Sequence, residues 1–205
     1  MSSTALVLGP SDEDRYGWPA ADAGPRAGAL DGTCTSIARH LIRAQVHTAG
    51  FLPADGALEK GASAAPLLSR IAGALAKFVP EDRSIALVDA WPTWGWGPAM
   101  QAGDTALFRT RALRPRVLEL SPVPCGDAEA ALSTLQAALQ ARPPGLAVVL
   151  INLADYVAPG AMPAAVEFVD GIVLLAGRRR TWGGGLARMS RFLPAKKNLG
   201  TILVD

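Results

Sequence analysis

Two kinds of apolar pattern alternate along the chain. Short unbroken runs rich in β-branched residues, Ser84–Asp89 (SIALVD), Leu146–Leu153 (LAVVLINL) and Gly171–Ala176 (GIVLLA), read as strands covered on both faces. Arg116–Leu120 and Gly200–Val204 read as two more. Between them lie segments with apolar residues three or four apart. Pro66–Phe78 is the clearest, with Leu67, Leu68, Ile71, Leu75 and Phe78 forming one stripe and Pro66 at the first helical position, where a missing N–H costs nothing. Ser36–Ala49 predicts another helix, capped by Thr35 or Ser36, with His40 and His47 seven apart on one solvent-facing side. A short strand around Val46–Leu52 overlaps its end, and Gly50–Ser63 is expected to be loop. Asp127–Arg142, Pro163–Phe168 and Gly184–Leu193 complete the helices. The segment before them, residues 1–32, lacks periodicity and reads as an irregular arm with a short strand at Thr4–Leu8. Strands alternating with helices predict an α/β fold: one doubly wound, mostly parallel sheet flanked by helices, in a single domain spanning residues 33–205.

Composition narrows the function classes. The chain has 205 residues, half of them apolar, with a mean hydropathy of +0.22, enough to bury a sizeable core. Twenty Lys and Arg against eighteen Asp and Glu leave a net charge of +2, which excludes a nucleic-acid binder working by bulk charge. Cys34 and Cys125 stand far apart and the only histidines are His40 and His47, so neither a structural zinc site nor a disulfide framework is expected. The N-terminus has no basic, apolar leader, and no stretch approaches the ~20 apolar residues that span a bilayer. A cytoplasmic protein is expected.

In open α/β sheets the chemistry sits at the carboxyl ends of the strands. SIALVD delivers Asp89 and the turn Ala90–Trp94; LAVVLINL delivers Asn152 and Asp155; GIVLLA delivers Gly177 and Arg178, Arg179, Arg180 and Thr181. A helix of the type LLSRIAGALAKF followed by SIALVDAWP resembles the P-loop stretch of the MinD/ParA-like ATPases, in which GxGKST, a helix and LLVDADxR follow one another. More narrowly, EFVDGIVLLAGRRRTWGGGLARMSRFLPAKKNLGTILVD and LSPVPCGDAEAALSTLQAAL resemble the cytoplasmic tyrosine-kinase domains of bacterial capsule and exopolysaccharide systems. The likeness covers roughly residues 36–205 and implies a P-loop NTPase-like fold.

The departures from that pattern carry as much information. Gly61-Ala62-Ser63-Ala64-Ala65 aligns with GxGK[ST], so Ser63 replaces the second glycine, Ala64 the lysine and Ala65 the hydroxyl residue. The lysine neutralises phosphate charge and the hydroxyl ligates magnesium, so both contributions are lost. Lys60 stands just upstream, and Gly32–Ile37 (GTCTSI) is a second glycine-led segment, also without lysine. Asp89 keeps the first acid of VDAD, but Trp91 occupies the place of the second. At the third strand Asn152 replaces the magnesium-binding acid, with Asp155 three residues on. A tyrosine-rich tail like that of the kinases is not expected, since the sequence holds only Tyr16 and Tyr156. With those groups gone together, little phosphoryl-transfer chemistry is left. No catalytic residue, metal or cofactor is therefore expected.

Two other features point outward. Trp91, Trp94 and Trp96 cluster beyond a strand end, where Trp91 is expected to fill the vacated pocket and Trp94 and Trp96 to meet a partner. Arg109, Arg111, Arg114 and Arg116 read as a solvated face, whereas Arg178, Arg179, Arg180, Arg188, Arg191, Lys196 and Lys197 read either as a membrane-proximal or acidic-partner surface or as an ordinary polar helix face. The resemblance implies a non-catalytic pseudo-kinase of an exopolysaccharide or capsule system that binds a membrane-embedded co-polymerase or synthase. Such a chain would be peripheral at the inner membrane through that partner, and it could also self-associate. Two rivals stay open. One is an active ATPase or tyrosine kinase using Lys60, Asp89 and Asp155 with ATP and magnesium. The other is a MinD-like scaffold or positioning protein of a secretion or cellulose-synthesis machine.

Overall fold

A computed structural model describes residues 27–54, 64–88, 108–122, 135–137, 139, 145–154, 162–177 and 183–204. Helix α1 (Ala27–Arg43) starts ahead of the expected Ser36 and takes in residues 27–32, which the sequence pattern gave to the irregular arm. Its end is a six-residue closure. Val46 N–H donates to the Leu41 carbonyl at 3.1 Å and Gln45 N–H to the Ile42 carbonyl at 3.1 Å, with Gln45 left-handed at φ 53°. The motif usually places glycine where Gln45 stands, and the apolar pair that accompanies it is Leu41 with Val46, both buried. Stopping the helix there puts His47 outside it, so the two histidines do not share a helix face. The chain turns straight into β1 (Thr48–Pro53), close to the short strand expected around Val46–Leu52, so the expected loop does not begin at Gly50.

The remaining elements follow in alternation: α2 (Ala64–Leu75), β2 (Ser84–Val88), β3 (Phe108–Arg114), β4 (Val117–Pro122), β5 (Leu146–Asn152), α3 (Met162–Phe168), β6 (Gly171–Gly177), α4 (Gly183–Phe192), a 3-10 turn (Ala195–Lys197) and β7 (Asn198–Val204). Residues 135–137 and 139 are helical, with Leu135 buried and Leu139 half-buried. Among the described residues the strands form one sheet in the order β3-β4-β2-β5-β1-β6-β7. All neighbours are parallel except β3 and β4, an antiparallel hairpin at one edge. The doubly wound, mostly parallel α/β architecture is as the apolar runs predict.

The core lies on both faces of this sheet. On one side α1 and α2 cover Phe51, Ile85, Leu150 and Leu175. On the other α3, α4 and Leu135 cover Leu52, Ile151, Ile172 and Leu174. Fully buried side chains of this size stabilise by about 1.5–3 kcal/mol each relative to exposure. Strand β1 lies inside the sheet between β5 and β6, and its Gly50 is there for space: a Cβ at that position would lie 2.5 Å from Leu153 Cδ1.

Strand β3 is the element the apolar pattern misses, because arginine alternates with Thr and Ala along a sheet edge. Arg111, expected on a solvated face, instead pairs with Glu119 directly across the ladder at 2.7 Å. Arg116, left-handed at φ 66°, donates to the carbonyls of Val79 at 2.7 Å, Pro80, and Arg83 at 3.1 Å. Of the four arginines only Arg114 has a described, exposed side chain; that of Arg109 lies outside the described residues.

Candidate functional site

The order of strands fixes where a site can form. β1 is flanked by β5 and β6, and its carboxyl end leads through residues 55–63 into α2. This strand–connection–helix unit occupies the place that the resemblance gives to a phosphate loop. Three strand ends meet at this corner. Leu153 N–H donates to the Phe51 carbonyl at 2.8 Å, and Ala54 N–H donates to the Leu175 carbonyl at 2.7 Å, extending the pairing past both strands. The first turn of α4 closes the corner: a Cβ on Gly185 would lie 3.6 Å from the Ala54 carbonyl oxygen.

The side chains at this corner are small or already engaged. Ala64, aligned with the phosphate-binding lysine, opens α2 and is 3% exposed, packed in the same core as Leu67, Leu68 and Ile71. Ala65, aligned with the magnesium-binding hydroxyl residue, lies in the same turn. Pro53 and Ala54, at the end of β1, are also buried. Asn152, aligned with the acid of the third strand, is fully buried, and its Oδ1 accepts the Ala154 N–H at 3.1 Å. The sequence explains that contact: an asparagine at a strand end caps the backbone two residues on. A buried amide committed in this way is a poor magnesium ligand.

Several sequence-predicted positions lie outside the described residues: Lys60, Gly61, Ser63, Asp89, Trp91, Trp94, Trp96, Asp155, Arg178, Arg179, Arg180 and the segment Thr4–Leu8. The second glycine-led segment, Gly32–Ile37, is helix interior, with Thr35 Oγ1 donating to the Asp31 carbonyl at 2.8 Å. Its backbone N–H groups belong to α1 and cannot cradle a phosphate. Among the described residues no group of three His, Cys, Asp or Glu could hold a metal. The described part of the corner supplies neither lysine nor carboxylate; Lys60, Asp89 and Asp155, the other candidate phosphate and magnesium groups, lie outside the described residues.

Cys34 and Arg70 meet where α1 packs on α2. Burial pushes the Cys34 thiol above its ordinary range, the Arg70 guanidinium pulls it back, and Asp31 adds to the rise. One Arg70 Nη is buried without a hydrogen-bond partner. Nothing in the sequence pattern distinguishes these two residues from ordinary helix-face positions.

No protein-family model matches the chain, and no curated protein matches it. Solved structures share its fold. The chimerical protein CapA2B2 superposes with a TM-score of 0.58 at 12% identity, over 89% of this chain and 86% of that one. The kinase domain of VpsO superposes with a TM-score of 0.51 at 13% identity, over 88% of this chain and 98% of that one. The chain has the fold of these two structures, one of them a kinase domain. At such identities the likeness carries the fold alone, and any relationship is distant.

Proposed function

We propose that this chain is a non-catalytic, kinase-like component of an exopolysaccharide or capsule biosynthesis and export system. It acts in the cytoplasm by binding a membrane-embedded polysaccharide co-polymerase or synthase. The observation that carries the reading is Ala64: the first turn of the helix after β1 packs a methyl group into the core at the position that the resemblance aligns with a phosphate-binding lysine. Asn152, spent on the backbone of Ala154, supports it from the neighbouring strand. A fold shared with the kinase domain of VpsO and with CapA2B2, together with the sequence resemblance, supports the exopolysaccharide setting.

A partner-binding role needs a surface in place of a reactive centre. The strand-end tryptophans Trp94 and Trp96 and the arginines Arg178, Arg179 and Arg180 are the proposed docking residues, on the chemistry of aromatic and arginine anchors. The test is co-purification with the cytoplasmic segments of a polysaccharide co-polymerase, alongside an anti-phosphotyrosine blot of protein made in a host without such kinases. The reading expects a defined complex weakened at least tenfold by Trp94→Ala/Trp96→Ala, and no phosphotyrosine. Phosphotyrosine on the purified protein would overturn the non-catalytic half. A complex indifferent to both tryptophans would overturn the docking assignment.

A further inference from the structure

Helix α4 and the turn after it form a stripe that the candidate site does not use. Leu186 and Met189 pack against the core beneath the helix, and Leu193 is buried at its end. The other side carries Arg188, Arg191 and Phe192, spaced three and four apart and therefore on one face, all exposed. Phe192 is 49% exposed, the more exposed of the two phenylalanines, Phe78 and Phe192, that the described surface carries. Lys196 extends the stripe on the following 3-10 turn, also exposed.

That turn is held in place. Asn198 Nδ2 donates to Ser190 Oγ at 3.1 Å, tying the start of β7 to α4, and Lys197 Nζ donates to the carbonyls of Val166 at 2.9 Å and Glu167. Residues 183–204 contain no carboxylate at all. The acids on the adjoining segment are Glu167 and Asp170, and Asp170 is engaged with the backbone of His47 and Thr48. Because α4 runs from the carboxyl end of β6 towards the amino end of β7, Arg191, Phe192 and Lys196 lie at the opposite end of the sheet from the candidate site.

We propose that this stripe docks the protein directly on an anionic lipid bilayer, with Arg188, Arg191 and Lys196 at the headgroups and Phe192 inserted among them. Cations flanking one exposed aromatic ring on a single helix face match the charge and the apolar boundary of such a surface. A few cations provide reversible, salt-sensitive attachment. No described helix is long and apolar enough to cross a membrane, so attachment of this kind would be peripheral. The inference does not rest on the proposed function, since it concerns the chain alone against lipid.

The experiment is co-sedimentation of the purified full chain with phosphatidylcholine vesicles, with and without phosphatidylglycerol, across a salt series. Binding is expected only to the phosphatidylglycerol vesicles, falling as salt rises. Arg188→Gln/Arg191→Gln should weaken it about twentyfold, at roughly fivefold per cation. Phe192→Ala should weaken it further, whereas Lys77→Gln, exposed on the opposite helical layer, should leave it unchanged. All these side chains are exposed, so thermal melts of the variants should match the parent. Equal binding to neutral vesicles, no binding, or indifference to the α4 variants would overturn the proposal. So would polyglutamate competing through the same arginines as strongly as the vesicles do, which would assign the stripe to an acidic protein.

Discussion

The two ends of the sheet are built from different chemistry. At the amino end, polar side chains bind backbone. Asp170 Oδ2 accepts the N–H groups of His47 at 3.0 Å and Thr48 at 2.8 Å, fixing where β1 begins beside β6. Arg116 gathers three carbonyls of the turn after α2, and Lys197 two at the end of α3. At the carboxyl end, where a P-loop fold keeps its reactive groups, the described corner offers Pro53, Ala54, Ala64 and the capped Asn152. Hydrogen-bonding side chains stand at the amino end where they stabilise the scaffold, and at the described corner small or capped residues stand where the resemblance puts the nucleotide-binding groups. Fold and activity can therefore separate: the first needs the amino-end contacts and the two cores, the second needs reactive groups that the described residues of this corner do not supply.

The contrast can be broken most forcefully at Ala64. Restoring a lysine there by Ala64→Lys should destabilise the protein by about 3 kcal/mol, because it forces a charged side chain into a packed core. In a chain of this length that corresponds to a fall of roughly 6–12 °C in Tm. Unchanged stability with a gain of nucleotide binding would mean the corner has room for the missing group. Next in size is Asn152→Ala, which strips the cap and leaves the Ala154 N–H unpaired, at about 1–2 kcal/mol by urea denaturation. Asn152→Asp keeps an acceptor for that N–H and should recover part of the loss. At the other end, Asp170→Ala should cost about 1 kcal/mol, since its two bonds are charge-assisted but exposed. An effect of Asp170→Ala larger than that of Ala64→Lys would reverse the ranking on which the comparison rests.

The smallest effect is the pH dependence of Cys34. Its pKa is raised in the folded protein, so the folded state disfavours the thiolate. The stability it contributes is complete below the ordinary thiol pKa and is lost as pH rises through that range. The alkaline loss of stability should be smaller in Cys34→Ala than in the parent, compared by denaturant melts at neutral and alkaline pH. Identical slopes would show that the thiol is not desolvated.

How much of this was legible in the sequence depends on burial. The strands covered on both faces, β2, β5 and β6, announce themselves as unbroken apolar runs, and α2 as a stripe. The edge strand β3 does not, since alternating arginines answer to Glu119 and to solvent. The end of α1 was misjudged because the six-residue closure is made with Gln45, a residue that carries no stop signal, whereas glycine would have. At the site, the replacements Ala64 and Asn152 could be read directly once the segment was aligned by resemblance. What the sequence could not reveal is their occupation: that Ala64 is core and that Asn152 caps Ala154 are consequences of packing. The stripe on α4 was visible only as a basic excess, because spacing without exposure does not separate Arg188, Arg191 and Lys196 from Lys197, which is tied to backbone.

Calorimetric titration of the purified chain with Mg²⁺-ATP tests the central claim most directly. With Ala64 and Ala65 at the positions that the resemblance gives to the lysine and the hydroxyl residue, the proposed non-catalytic reading expects no saturable heat below about millimolar nucleotide, a binding free energy weaker than roughly −4 kcal/mol. A micromolar dissociation constant that disappears in Lys60→Ala would contradict it and show that the nucleotide site survives in another form.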